Sequence, residues 1–444
     1  MLDPVLVGSL SVFAIFALIL LGFHIGVALA TVSFVGIYLM TGKWLVAASL
    51  LQTTAFNALN DYVFAVVPLF VAMGLFATQS GATRSLFDAA EAMLRRVRGG
   101  VGIATVIANA IFAAITGVSV ASAAVFSKLA VPEMNRLGYE RKFALGIVAS
   151  SSLLGMLIPP SILMIVYAVV VEESIGRLFA AGVGPGLLVA FMLSMTILLL
   201  VYLDPRRAGQ EGQFQEGGDA GPAGSMFAPL LHIWPILALI TLVLGGIYGG
   251  WFTPTEAGAI GALGAFFLMI IRRQYTNASM LRILLDTGQA CASIFFLLIT
   301  AQMYSRMLTL SRLPDVLTSS VSGLEVPGIV IILAFVVVLL LLGCIIDSVS
   351  IMLLTMPIMV PIAATFGYDK VWFGMIAIIA IELGLLTPPF GMVIFAMKAA
   401  LPEDVRVEEI FLGSAPFFLM LVLVLAMVIA FPEISLFLPR LLLG

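Results

Sequence analysis

The sequence predicts an all-α integral membrane protein of about ten transmembrane helices plus two re-entrant hairpins, arranged as inverted repeats. Three observations lead there. Of 444 residues, 62% are hydrophobic and only 10% are charged, too few to cover a soluble protein of this length. Apolar runs long enough to cross a hydrocarbon core recur from end to end, among them 6–21, 233–249 and 417–431. One motif also returns after 229 residues: Leu154-Gly-Met-Leu-Ile-Pro-Pro160 reappears as Leu383-Gly-Leu-Leu-Thr-Pro-Pro389. Lipid cannot satisfy exposed backbone groups, and these runs are too long for barrel strands, so they must be helices.

The chain opens Met1-Leu-Asp-Pro-Val, with no basic stretch before its first apolar run and no small-residue cleavage site after it. Residues 5–21 are therefore expected as a retained span rather than a leader. Spans are expected near 4–22, 24–41, 62–80, 142–171, 178–203, 229–249, 255–271, 287–309, 372–398 and 409–438. Two apolar segments, near 101–131 and 326–362, are broken midway by polar or small residues and read as hairpins that enter and leave on one side. Arg84–Arg98 and Thr276–Asp286 read as amphipathic helices on the cytoplasmic surface. The polar, Gly-rich stretch 204–228 reads as a flexible cytoplasmic linker.

The resulting division is N-terminal scaffold spans (1–100), a first transport half (101–171), a scaffold span (172–203), the linker, second scaffold spans (229–325), a second transport half (326–398) and a C-terminal span (399–444). With Arg84–Arg98 placed inside and each hairpin returning to its own side, 15 of the 21 basic residues fall in the cytoplasm and both termini face outward, as the positive-inside bias requires.

The 229-residue offset also pairs Pro132 with Pro361, Gly138-Tyr139-Glu140 with Gly367-Tyr368-Asp369, and Ser119 with Ser348. Five expected spans separate the two Gly-Tyr loops, so the second copy stands upside down. Inverted repeats with interrupted helices are the architecture of secondary transporters, which bind cargo near the midplane.

Each repeat supplies two interruptions. The first has a hairpin turn at Thr116-Gly-Val-Ser119-Val-Ala-Ser122 and a broken span from Ser150-Ser-Ser152 to Pro159-Pro160; the second has Gly343-Cys-Ile-Ile-Asp347-Ser348 and Glu382 to Pro388-Pro389. A proline pair removes two backbone donors and frees carbonyls one turn upstream. Such carbonyls, with hydroxyls, form an oxygen cage suited to Na⁺, and the N-termini of half-helices favour an anion.

Plainer roles compete at each position. A single proline pair is usually a kink, Ser150–Ser152 can bond back to the preceding turn, and Asp347 can cap a helix. Ionisable groups at membrane depth nonetheless default to function, which favours a cation role for Asp347 and marks Glu382 for the same reason. Glu256, in Phe252-Thr-Pro-Thr-Glu256, reads better as a helix cap. His24 and His232 stand far apart, and Cys291 and Cys344 lie in apolar segments that imply no disulfide framework. Phosphate-loop, zinc-protease and dinucleotide signatures are missing from the sequence. Coupling to an ion gradient is the expected energy source, and no enzymatic activity is expected.

At these residues the chain resembles the large membrane subunit of tripartite ATP-independent periplasmic (TRAP) transporters over essentially its whole length. The carrying elements are Ile115-Thr-Gly-Val-Ser-Val-Ala-Ser122, Ala149–Ser161, Phe252–Glu256 and Glu382–Pro389. The resemblance implies an elevator-type ion-transporter fold and Na⁺-driven uptake of small carboxylates or sugar acids across the bacterial inner membrane, by an elevator motion. It implies two partners, a periplasmic substrate-binding protein and a small four-helix membrane subunit on a separate chain. By motif position, it puts a first Na⁺ site at Thr116, Gly117, Ser119, Ser151, Leu154 and Met156, and a second at Gly343, Cys344, Asp347, Leu383 and Leu385. Substrate is expected near Ser161, Thr387, Pro160 and Pro388. Family members often carry serine, an acid and proline where this chain has Val118, Ser122 and Met156. The alternatives are a stand-alone Na⁺/carboxylate symporter and a non-transporting membrane assembly scaffold.

Overall fold

A computed structural model describes residues 2–60, 62–94, 97–209, 230–323 and 326–443; most of the expected linker therefore lies outside the described residues. Every element among them is helical. Among the described residues six helices are long and apolar enough to cross a membrane: Tyr62–Gln79, Ile175–Leu203, Pro254–Ile271, Asn277–Ser311, Ser348–Thr365 and Val407–Ala430. A pair bent by 40°, Arg141–Leu157 with Ile162–Val171, passes the same test when taken together, and five shorter apolar helices among the described residues include Pro4–Leu20, Ile25–Thr41 and Ile233–Tyr248.

Three expectations need correction. Residues 276–286 form no separate surface helix, because one continuous helix runs Asn277–Ser311, capped by Thr276. Its lone Gly288 does not break it, since a single helical glycine costs only about 1 kcal/mol. At 35 residues the helix is roughly 50 Å long, well beyond the ~30 Å of a hydrocarbon core. The last expected span is also shorter. It stops at Ala430, and a second helix, Glu433–Leu443, follows. Pro432 keeps the preceding residue out of the helical region, and Phe431 stands at φ −125°, ψ 82°. Finally, Trp44–Asn60 is a helix that the hydrophobic pattern left unassigned.

The segments near 101–131 and 326–362 are each two helices joined by a short turn. The first hairpin is Gly100–Thr116 and Ser119–Arg136; the second is Gly328–Gly343 and Ser348–Thr365. Each leads into a broken helix. The first runs Arg141–Ser152, Leu154–Leu157 and Ile162–Val171, and the second Lys370–Gly384 and Met392–Ala400.

The turns between hairpin and broken helix share their geometry. Gly138 and Gly367 stand at φ 80° and 79°, values that suit glycine alone. The Tyr139 amide donates to Met134 O and the Tyr368 amide to Ala363 O, and each tyrosine stacks on the ring four residues later, Phe143 or Trp372.

Packing is reciprocal. The C-terminal piece of the first broken helix (Ile162–Val171) lies against Ser348–Thr365 of the second hairpin. The matching piece of the second broken helix (Met392–Ala400) lies against Ser119–Arg136 of the first. Mutual exchange of this kind is what a two-fold relation between two like units produces.

Candidate functional site

In the first repeat, Gly117 ends the first hairpin helix in a left-handed conformation (φ 64°), and Val118 is extended before Ser119 restarts the chain as a helix. The broken helix loses its regular form over Ile158–Ser161, where two successive prolines offer no amide. The two discontinuities meet. The Ile162 amide donates to Gly117 O at 3.3 Å, and the Ser119 hydroxyl lies 3.5 Å from Leu153 O. Gly155 faces the tip so closely that an added Cβ would sit 2.8 Å from Ser119 Cα.

The second repeat is built alike. The Phe390 amide donates to Cys344 O at 3.2 Å, and the Cys344 thiol lies 2.9 Å from the Thr387 hydroxyl. Gly384, the repeat partner of Gly155, approaches Gly343 so that a Cβ on Gly343 would lie 2.7 Å from Gly384 Cα. The Pro159–Pro160 and Pro388–Pro389 peptide bonds are both cis.

Each hairpin tip therefore meets the helix break of its own repeat, and most hydroxyls of the expected ligand sets are already engaged. Thr116 bonds back to Phe112 O. Ser150, Ser151 and Ser152 bond back to Gly146 O, Val148 O and Ala149 O, and Ser151 also accepts from Asn109 Nδ2 at 2.8 Å. Ser161 donates to Met156 O at 2.6 Å and caps the Met164 amide; Thr387 donates to Gly384 O at 2.6 Å. Asp347 caps its helix by accepting from the Ser350 amide at 3.0 Å. Leu154, Met156, Leu383 and Leu385 have buried side chains and can offer only backbone carbonyls to an ion. Among the described residues no group of three or more His, Cys, Asp or Glu comes together to hold a metal ion, so the donors on offer are carbonyls and hydroxyls, with the Asp347 carboxylate in the second set. That donor chemistry fits Na⁺.

The plainer reading holds at Glu256, which forms a capping box with Thr253. It holds at His24 too, whose Nδ1 accepts from the Gly26 amide. Both cysteines are free.

Two polar groups escaped the ligand sets. Asn109 is fully buried, with Oδ1 unpartnered; the signal available was an amide inside an apolar segment. Glu382, 3% exposed, reaches both tips at once. Its Oε2 accepts from the Ser119 hydroxyl at 2.5 Å and its Oε1 from the Ser348 hydroxyl at 3.0 Å. The two hairpin tips and one break thus converge on a single buried carboxyl group.

Away from this locus, two neighbouring cavities of about 460 and 260 Å³ share Val170 and Ser305. The larger lies between the long helix Asn277–Ser311 on one side and Ile162–Val171 with Ser348–Thr365 on the other, and the smaller between Asn277–Ser311, Ile162–Val171 and Trp44–Asn60. None of the expected site residues lines them.

Residues 12–434 match the family model described as the tripartite ATP-independent periplasmic transporter, DctM component. The C4-dicarboxylate TRAP transporter large permease protein of Pseudomonas aeruginosa is 34% identical over 388 residues, 87% of this chain and 88% of that protein. The sialic acid TRAP transporter large permease protein of Vibrio cholerae is 30% identical over 87% of this chain and 88% of its own length. Among solved structures, the Alcanivorax borkumensis YdaH transporter superimposes with a TM-score of 0.65 at 16% identity, covering 88% of this chain and 90% of that one. That likeness speaks to the fold alone.

Proposed function

This chain belongs to the tripartite ATP-independent periplasmic transporter family as its DctM component, a multi-pass transporter subunit and not an enzyme, and we propose that it carries small organic acids inward on a Na⁺ gradient. It works in the bacterial inner membrane with a separate small four-helix membrane subunit, and receives its cargo from a periplasmic binding protein. The observation that carries this reading is the meeting of two hairpin tips and two helix breaks at one buried, oxygen-rich locus. Proline pairs leave upstream carbonyls without amide donors. Na⁺ accepts such oxygens, the first set near Thr116, Gly117, Ser119, Ser151, Leu154 and Met156, the second near Gly343, Cys344, Asp347, Leu383 and Leu385. The carboxylate of the cargo lies by Ser161, the N-cap of the short helix Ile162–Val171, where a helix N-terminus favours negative charge, and by Thr387, in the break that precedes Met392–Ala400.

Movement follows an elevator course, with the hairpins and broken helices travelling as a unit against the scaffold. The cavities along helix Asn277–Ser311 support this reading, because they separate that helix from hairpin and broken-helix elements. The reciprocal packing supports an inverted repeat. The relatives' names span C4-dicarboxylate and sialic acid, so cargo choice rests mainly with the binding protein.

Liposomes holding this chain and its small subunit, with the binding protein outside, test the reading. Labelled organic acid should enter only down an inward Na⁺ gradient, and Asp347→Asn should lower uptake about tenfold or more, the scale for losing one ion-site group. Unchanged uptake with choline in place of Na⁺ overturns the coupling. Uptake without the binding protein points instead to a stand-alone symporter.

A further inference from the structure

Ser119 and Ser348 are each the first residue of the helix that leaves a hairpin tip, and they are equivalent under the 229-residue offset. Their hydroxyls donate to the two different oxygens of one side chain, Glu382. The position equivalent to Glu382 in the first repeat is Leu153, which has no acceptor on its side chain and meets Ser119 only through its backbone oxygen at 3.5 Å. The symmetry of the repeats is thus broken at this position, and a single carboxyl group serves both copies.

A buried carboxyl group is costly unless it is hydrogen-bonded. Glu382 has two hydroxyl donors, and the helices Ser119–Arg136 and Ser348–Thr365 bring their N-termini to it, where a helix favours negative charge. Neither serine caps its own helix: Val118 gives no side-chain cap to the first, and Asp347 caps the second through Ser350. Both hydroxyls are left to hold Glu382. Moving one tip therefore strains the bond to the other.

We propose that Glu382 is a positioning residue that ties the two hairpin tips together, so that an ion entering one tip orders the other. The ion-binding part of this inference rests on the Na⁺ reading above. The mechanical part, the tie itself, does not.

Two measurements on the purified full-length chain test it. The first is thermal unfolding in Na⁺-free choline buffer of Ser119→Ala, Ser348→Ala and the double variant. Two serines on one carboxyl group should give non-additive losses, and the non-additivity should vanish in a Glu382→Ala background. Additive losses, or coupling that survives Glu382→Ala, overturn the tie. The second is a Na⁺ titration followed by the rise in unfolding temperature. Glu382→Ala should raise half-saturating Na⁺ about fivefold or more, the lower end for coupled sites, and should flatten a cooperative curve toward independent binding. Glu382→Gln keeps a group of the same length facing both hydroxyls and should lie between native and alanine. A merely structural role lowers the starting unfolding temperature and leaves the shape of the Na⁺ curve unchanged, which also overturns the proposal. If the native chain does not respond to Na⁺ at all, the coupling-ion reading fails and ordering by an ion falls with it, while the serine cycle still decides the tie.

Discussion

Two glycines of the repeated motif sit against the hairpin tips of the candidate site. Gly155 and Gly384 occupy the same place in the repeated motif, and each faces its own hairpin tip without space for a side chain. A Cβ on Gly384 would sit 2.5 Å from Gly343 Cα, against backbone that has no rotamer to change. Gly384→Ala should therefore lower stability by about 1–3 kcal/mol, the usual cost of overpacking. Because the clash falls on the second tip, transport should fall by more than the amount of folded protein. Native unfolding temperature and native uptake in that variant would show that the tip has slack. At this scale the sequence is legible wherever a residue alters its own backbone. Proline pairs and the Thr116-Gly117 turn announce breaks, because missing amides and left-handed glycines act locally. Glu382 drew notice as an ionisable group at depth, but its partner Ser119 is 263 residues away. No local rule joins those two positions, so the sequence does not place in either ligand set the carboxyl group that both tips share.

Helices followed the hydrophobic pattern where punctuation was strong and departed from it where pattern and punctuation disagreed. The hydrophobic pattern does not mark Trp44–Asn60, because Gln52, Thr53, Thr54 and Asn57 interrupt its apolar run. Ala47, Leu51, Thr54 and Ala58 are buried at helical spacing all the same, and tertiary packing of that stripe decides the outcome. In Asn277–Ser311 the change from amphipathic to apolar composition marked an expected boundary, yet nothing in the backbone stops the helix there. Phe252-Thr-Pro-Thr-Glu256 is legible as a start signal, since Thr253, Pro254 and Glu256 each act within one turn. Glu256 accepts from the Thr253 amide at 2.8 Å and Thr253 caps the Glu256 amide. A structural cap makes a measurable claim. Glu256→Gln, which can still accept at the same place, should keep native stability, and Glu256→Ala should lose about 1 kcal/mol. Transport per folded molecule should be unchanged in both. A large fall in uptake with native unfolding temperature would instead make Glu256 part of the transport machinery.

Across the whole molecule, the shared offset matches the reciprocal packing of hairpins and broken helices, and it matches the paired Gly-Tyr turns down to their stacked rings. Two copies of one unit can stand parallel or upside down in a membrane, and only the second gives a carrier one site with alternating access from equivalent halves. The basic-residue bias favours the second, with Arg141 and Lys142 inside and Lys370 outside. The equivalent loops test it directly. Tyr139 itself is buried, so the reporters belong on its exposed neighbour Glu140 and on exposed Lys370. Each is changed to cysteine in a chain whose Cys291 and Cys344 have been replaced by alanine. In intact cells stripped of their outer membrane, a membrane-impermeant maleimide should modify the Lys370→Cys chain. The Glu140→Cys chain should react only after the inner membrane is opened. Reaction of both from the same side would make the repeats parallel, and with that the inverted architecture and the alternating exposure built on it would both fail.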